Sequence, residues 1–172
     1  MSATKTPNAK ILRDGRIIEN DTQTLADDAA LPSSGRVLVS LSRWRKEREA
    51  LLASVCKIGV LVPNTEDVAG LWPELRDRPL IAVQFPAWSD GRAFSQARVL
   101  RERFEYKGEI RATGDVARDQ LQFMQRCGIN AFEIRADQDP TLCLKSLHDF
   151  DVAYQRAADS LENVWAARRA QR

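Results

Sequence analysis

The chain has 172 residues, 44% apolar and 29% charged, with a net charge of +2. That length can bury a core without disulfides or metals, and the composition is that of a folded globular chain. The small net charge gives no reason to expect a nucleic-acid partner. The positive charge is supplied unevenly, since only six of the 26 basic residues are lysines and 20 are arginines. A guanidinium grips carboxylates and small oxyanions in a forked geometry. A general preference for arginine explains the skew equally well.

Residues 1–10 are polar and lack the apolar segment of a signal peptide. No run approaches the roughly 20 apolar residues of a membrane helix. Three widely spaced cysteines, Cys56, Cys127 and Cys143, fit buried thiols in a reducing compartment. The expected location is therefore cytoplasmic, with no membrane partner.

Residues 10–13 and 16–18 predict a hairpin around Asp14-Gly15, a favoured tight-turn pair. Residues 19–35 are acidic and then rich in Pro, Ser and Gly, and predict a linker. Strands and helices then alternate. Residues 37–41 predict a strand, and Ser42 caps a helix with Trp44, Leu51, Leu52 and Val55 on one face. A second strand at 58–62 precedes a helix capped by Asn64. Val68, Leu71, Trp72 and Leu75 share its face, and Pro73 is expected to kink or split it.

Residues 80–85 form a nearly continuous apolar run, the pattern of a strand buried on both faces of a parallel sheet. A helix over 91–104 buries Ala93, Ala97, Leu100 and Phe104. A less apolar strand at 109–113 leads to a helix with Ala117, Leu121 and Met124 on one stripe, closed by Gly128. A strand at 131–135 follows. Asp139-Pro140 opens a helix with Leu144, Leu147 and Phe150, and residues 157–172 predict a docked terminal helix. The fold class is α/β, a mostly parallel sheet of about five strand–helix units, either doubly wound or a partial open barrel, with a short N-terminal hairpin. The expected division is 1–35 for hairpin and linker, 36–155 for the α/β domain, and 156–172 for the last helix.

Parallel α/β folds bind ligands at the carboxyl ends of their strands. The richest such end is Asp90-Gly91-Arg92, followed on one helical face by Ser95 and Arg98. A helix start with a guanidinium and a hydroxyl suits an oxyanion, and a turn with a solvated basic face explains the same residues. Gly114-Asp115 is a second loop at the same sheet edge. Asp115 is better explained as a helix cap than as a general acid or base. Trp44 or Trp88 could stack on a flavin, although no GxGxxG or Walker sequence is present. His148 is the only histidine. It is expected in a helix away from the strand ends, which argues against a Ser-His-Asp triad or a histidine-based zinc site.

Residues 90–133 carry a long ordered series: Asp90-Gly91-Arg92-Ala93-Phe94-Ser95, Ala97-Arg98-Val99-Leu100-Arg101, Gly108-Glu109-Ile110-Arg111-Ala112, Gly114-Asp115-Val116, Arg118-Asp119-Gln120-Leu121, and Arg126-Cys127-Gly128 through Ala131-Phe132-Glu133. Asp14-Gly15-Arg16 with Glu19-Asn20-Asp21, and Asp149-Phe150 through Tyr154, extend it. This series resembles the bacterial domain-of-unknown-function family nine-three-four. The resemblance implies a gene placed beside assimilatory sulfite reductase and the label of a probable oxidoreductase of sulfite reduction. It brings no catalytic residues.

Two readings follow. One is a non-catalytic accessory or electron-transfer docking protein for sulfite reductase or its electron donor, with Arg98, Arg101 and Arg111 meeting acidic partner surfaces. The other is a small α/β enzyme or sensor that binds a sulfur oxyanion among Asp90, Gly91, Arg92, Ser95, Gly114 and Asp115. Neither reading sets an oligomeric state.

Overall fold

The computed structural model describes residues 10–159 and 161–170; the expectation for residues 1–9, and residues 160, 171 and 172 of the predicted terminal helix, lie outside them. The hairpin forms where expected, with β1 (Lys10–Arg13) antiparallel to β2 (Arg16–Glu19). Asp14 and Gly15 both have positive φ, 49° and 71°, as a tight two-residue turn of this hand requires.

The predicted linker contains a further strand, β3 (Thr22–Thr24), which pairs in parallel with β4 (Arg36–Ser40). Asn20 accepts the Thr22 N–H at 3.1 Å and so fixes the entry to β3. The side chain that caps α1 (Leu41–Ala53) is Ser40 rather than Ser42. After β5 (Lys57–Val62), Asp67 rather than Asn64 caps α2 (Val68–Leu75), accepting the N–H groups of Ala69 and Gly70. Helix α2 runs through Pro73 without splitting.

Next come β6 (Leu80–Phe85) and α3 (Arg92–Arg98). The helix expected to reach Phe104 instead widens into a π-helical turn, Val99–Arg103. Strand β7 (Glu109–Gly114) leads through a 3-10 turn, Arg118–Gln120, to α4 (Leu121–Arg126). Gly128 closes α4 at φ +95° and donates to Gln125 O, as the sequence predicts. Strand β8 keeps only Ala131–Phe132 of the expected 131–135, and the chain then turns, with the Gln138 N–H donating to Arg135 O at 3.2 Å.

Asp139 caps α5 (Pro140–Ser146) through the Thr141 N–H. This helix ends before Phe150, which stays 65% exposed. The terminal helix is also shorter than expected. Residues 157–159 and 161 are not helical, β9 (Val152–Ala153) pairs with β10 (Glu162–Asn163), and α6 is Val164–Ala170. Asn163 accepts the Ala166 N–H at its start.

Among the described residues the main sheet has eight strands, in the order β2-β1-β8-β7-β6-β5-β4-β3. From β4 to β8 every pair is parallel and sequential strands are neighbours. A doubly wound sheet reverses direction part-way. This one does not, and it is the partial barrel of the two expected alternatives. The hairpin belongs to the same sheet, since β1 pairs antiparallel with β8.

Curvature follows from the side chains. Strands β7 and β3 are four places apart, roughly 19 Å across a flat sheet. Yet Arg111 Nη2 on β7 reaches Thr22 Oγ1 on β3 at 3.1 Å. The sheet must therefore curl strongly into a half-barrel. Its two edge strands, β2 and β3, are also consecutive in the chain, joined only by Asn20 and Asp21.

Alternation sorts the strand residues between two faces. Val37, Val39, Val60, Val83 and Ile110 pack with Trp44, Leu51, Leu71, Ala97 and Leu100 of the helical layer. Leu38, Leu61, Leu80 and Ala82 form a small cluster on the other, concave face. No helix among the described residues is long and apolar enough to cross a membrane.

Candidate functional site

The carboxyl ends of the parallel strands do carry the expected polar residues, but the charged ones are paired with neighbours. Asp90 accepts Arg92 Nε at 2.9 Å and Nη2 at 2.6 Å. The Arg92 guanidinium, helped by Asn64, holds the Asp90 carboxyl well below the usual carboxylate range. Gly91 is the N-terminal flank of α3 and supplies no side-chain cap. Ser95 and Arg92 line a surface cavity of about 270 Å³ with Asn64, Glu66 and Asp67. Two carboxylates on that wall oppose an anion.

Gly114 has φ +95°, and a Cβ there would lie 2.2 Å from the Phe85 carbonyl oxygen. Its residue type is thus set by the close approach of β6. Asp115 does not cap a helix. Its N–H donates to Phe85 O at 2.7 Å, and its carboxylate accepts the Trp88 N–H at 2.9 Å and Arg135 Nη1 at 3.1 Å. Trp88 Nε1 donates to Asp119, and Gln120 Nε2 donates to Trp88 O. Arg92 and Asp115 therefore sit in separate bonded groups, one around Asp90 and one around Trp88. Hydrogen bonds from Arg135, assisted by its charge, lower the Asp137 carboxyl, and the same bonds raise Arg135.

Of the two tryptophans proposed for flavin stacking, Trp88 is 54% exposed and Trp44 is fully buried. The Trp44 ring lies under the Arg48 and Arg78 guanidiniums, whose centres are 5.5 and 4.8 Å from its centroid, so it offers no face at the strand ends. His148 is exposed just beyond α5. The three cysteines are free and buried. Burial pushes the Cys127 and Cys143 thiols up, away from the reactive thiolate. No group of three or more His, Cys, Asp or Glu among the described residues could hold a metal ion.

The three arginines expected at a partner surface have different fates. Arg98 is exposed and donates to Glu102 at 2.8 Å. Arg101 is turned inward. It donates to the carbonyls of Tyr106, Gly108 and Gly128 and to Asn130 Oδ1, tying the π-helical turn to the segment before β8. Burial lowers its pKa. Arg111 has no exposed surface at all, and a partner cannot reach it in this fold.

Arg111 instead centres a buried polar cluster on the concave face. It donates to Glu109 Oε1 from Nε at 2.7 Å, to Glu133 Oε1 at 3.3 Å, and to Asn20 Oδ1 and Thr22 Oγ1, each at 3.1 Å. Arg36 Nη2 reaches the other oxygen of Glu109 at 2.6 Å, and Arg13 approaches it at 3.5 Å. Asp21 faces both of these arginines. Three guanidiniums thus meet three carboxylates, a charge balance that explains how such groups tolerate burial. Glu109 and Glu133 stand in the ordered series of residues 90–133 but, like Arg36, are not among the expected site residues. The signal was available in Glu109-Ile110-Arg111-Ala112-Thr113, where polar and apolar residues alternate with the strand period.

A family described as "Bacterial protein of unknown function (DUF934)" matches residues 59–165, more than half of the chain. No curated protein and no solved structure matches.

Proposed function

Since the chain belongs to this bacterial family of unknown function, we propose that it serves assimilatory sulfite reduction as a non-catalytic accessory or electron-transfer docking protein, seated on sulfite reductase or its electron donor. The pathway enters from the genomic setting that the family resemblance implies. The absence of a catalytic role is supported by one observation. At the strand carboxyl ends each candidate acid or base is engaged by a protein group: Asp90 by Arg92, Asp115 by Arg135 and Trp88, and Asp119 by Trp88. A carboxylate clamped by a guanidinium is a poor proton acceptor near neutral pH. Affinity capture with the tagged chain from sulfate-grown cells should enrich sulfite reductase or its reductant. Capture that never enriches either overturns the reading.

The alternative oxyanion site keeps the cavity beside Arg92 and Ser95 in its favour, against the two carboxylates on the same wall. Calorimetric titration with sulfite, sulfate and phosphate decides between the readings. Heat of binding that disappears in Arg92→Ala would move the assignment to that site.

A further inference from the structure

A second surface, away from the strand ends, has the composition of a protein-binding hot spot. Between α4 and the C-terminal segment lies a cavity of about 280 Å³ whose wall includes Arg98, Phe123, Arg126, Cys127, Tyr154 and Arg156. Phe123 is 57% exposed and Tyr154 70% exposed. Exposed aromatics of this size usually cost conformational entropy when a partner orders them. Phe123 has already lost part of that freedom. Its ring packs edge-on against Phe94 at 4.9 Å, and Phe94 packs against buried Phe85 at 5.0 Å. An aromatic row thus runs from the core to the surface. Tyr154 is similarly set against Trp165, with ring centroids 6.2 Å apart.

The charge on this wall is not balanced. Glu102 answers Arg98 and Asp159 answers Arg126, whereas no ion pair to Arg156 occurs among the described residues. We propose that this groove is a docking site for an acidic peptide segment that carries an aromatic side chain. The aromatic side chain of that segment enters between Phe123 and Tyr154, and a carboxylate beside it faces Arg156, the guanidinium on this wall without an ion pair among the described residues. Aromatic anchors ringed by arginines are the groups that dominate binding energy at protein interfaces, and opposite charge selects the partner and speeds encounter. The inference rests on the docking role proposed above and names the surface for it.

The test uses the full-length chain and a short fluorescein-labelled peptide of Asp and Glu with a central Phe. Fluorescence anisotropy should show saturable binding that weakens with added salt. Phe123→Ala and Arg156→Glu alter exposed side chains, so circular dichroism should show both variants folded. Each should weaken binding at least about tenfold. No binding, equal binding of a peptide with Lys in place of the acids, or variants that bind like the parent overturns the proposal. A dimer in light scattering that dissociates in Phe123→Ala also overturns it, because the groove is then covered by a second copy. If the peptide binds as stated but sulfite reductase is never captured, the groove stands and the pathway falls. Capture of sulfite reductase that survives both substitutions has the opposite meaning.

Discussion

The Arg111 guanidinium donates to Asn20 Oδ1 at 3.1 Å across 91 positions of sequence. Asn20 belongs to the two-residue joint between the edge strands β2 and β3, and Arg111 stands inside the curled sheet on β7. One side chain therefore fastens the place where the two sheet edges meet to the middle of the sheet. Removing it, as in Arg111→Met, strips Glu133 and Glu109 of a buried cation. Breaking a buried pair typically costs about 3–5 kcal/mol. Arg36 still holds Glu109 at 2.6 Å, so the loss should fall near the lower end, about 3 kcal/mol. Urea unfolding followed by circular dichroism measures it. A variant as stable as the parent would mean that the concave ion cluster does not secure the curl.

Gly114 tests a different kind of claim, that a residue conspicuous in the sequence is there for geometry. Its Cβ would meet the Phe85 carbonyl oxygen at 2.2 Å, and φ is +95°. Gly114→Ala should cost at least about 2 kcal/mol through strain and backbone shift, which for a chain of this size lowers the thermal midpoint by about 4–8 °C. Scanning calorimetry reads that change. An unaltered midpoint would show that β6 and β7 can part at Gly114, and would return this loop to the list of candidate binding elements.

These two residues also mark how far the sequence could be read. The strand–helix alternation was plain because apolar runs such as residues 80–85 can be read locally. Which sheet they build was not, because the order of strands depends on pairings like β1 with β8 that join Arg13 to Ala131. Strand β3 was hidden for the same reason. Thr22-Gln23-Thr24 has no apolar signature and is held by its parallel partner β4 and by Asn20. Site residues followed the same division. Asp90, Gly114 and Asp115 stood out because they interrupt the pattern, and capping or turning explains such interruptions as well as chemistry does. From the sequence alone Arg111 reads as a charge suited to a surface. Its burial became visible only with the curl that brings Asn20 and Thr22 over it.

The Asp90–Arg92 pair makes a prediction in pH. Arg92 holds the folded-state pKa of Asp90 far below that of an unfolded aspartate, about 3.9. A carboxyl depressed on folding adds stability that is fully present above the unfolded value and is lost as pH falls below it. Asp90→Asn removes that contribution at neutral pH and has nothing to remove in strong acid. The urea midpoints of parent and variant should therefore differ at pH 6–7 and converge as the pH falls below about 4. Asp90 is half-buried and its partner Arg92 is exposed, so the gap will be small and will shrink with added salt. A gap that stays constant down through the acid range would assign the effect to the lost turn geometry at Gly91 and not to the charge. The same variant frees the Arg92 guanidinium. If the cavity beside Ser95 binds an oxyanion at all, Asp90→Asn should bind sulfate more tightly than the parent in calorimetric titration.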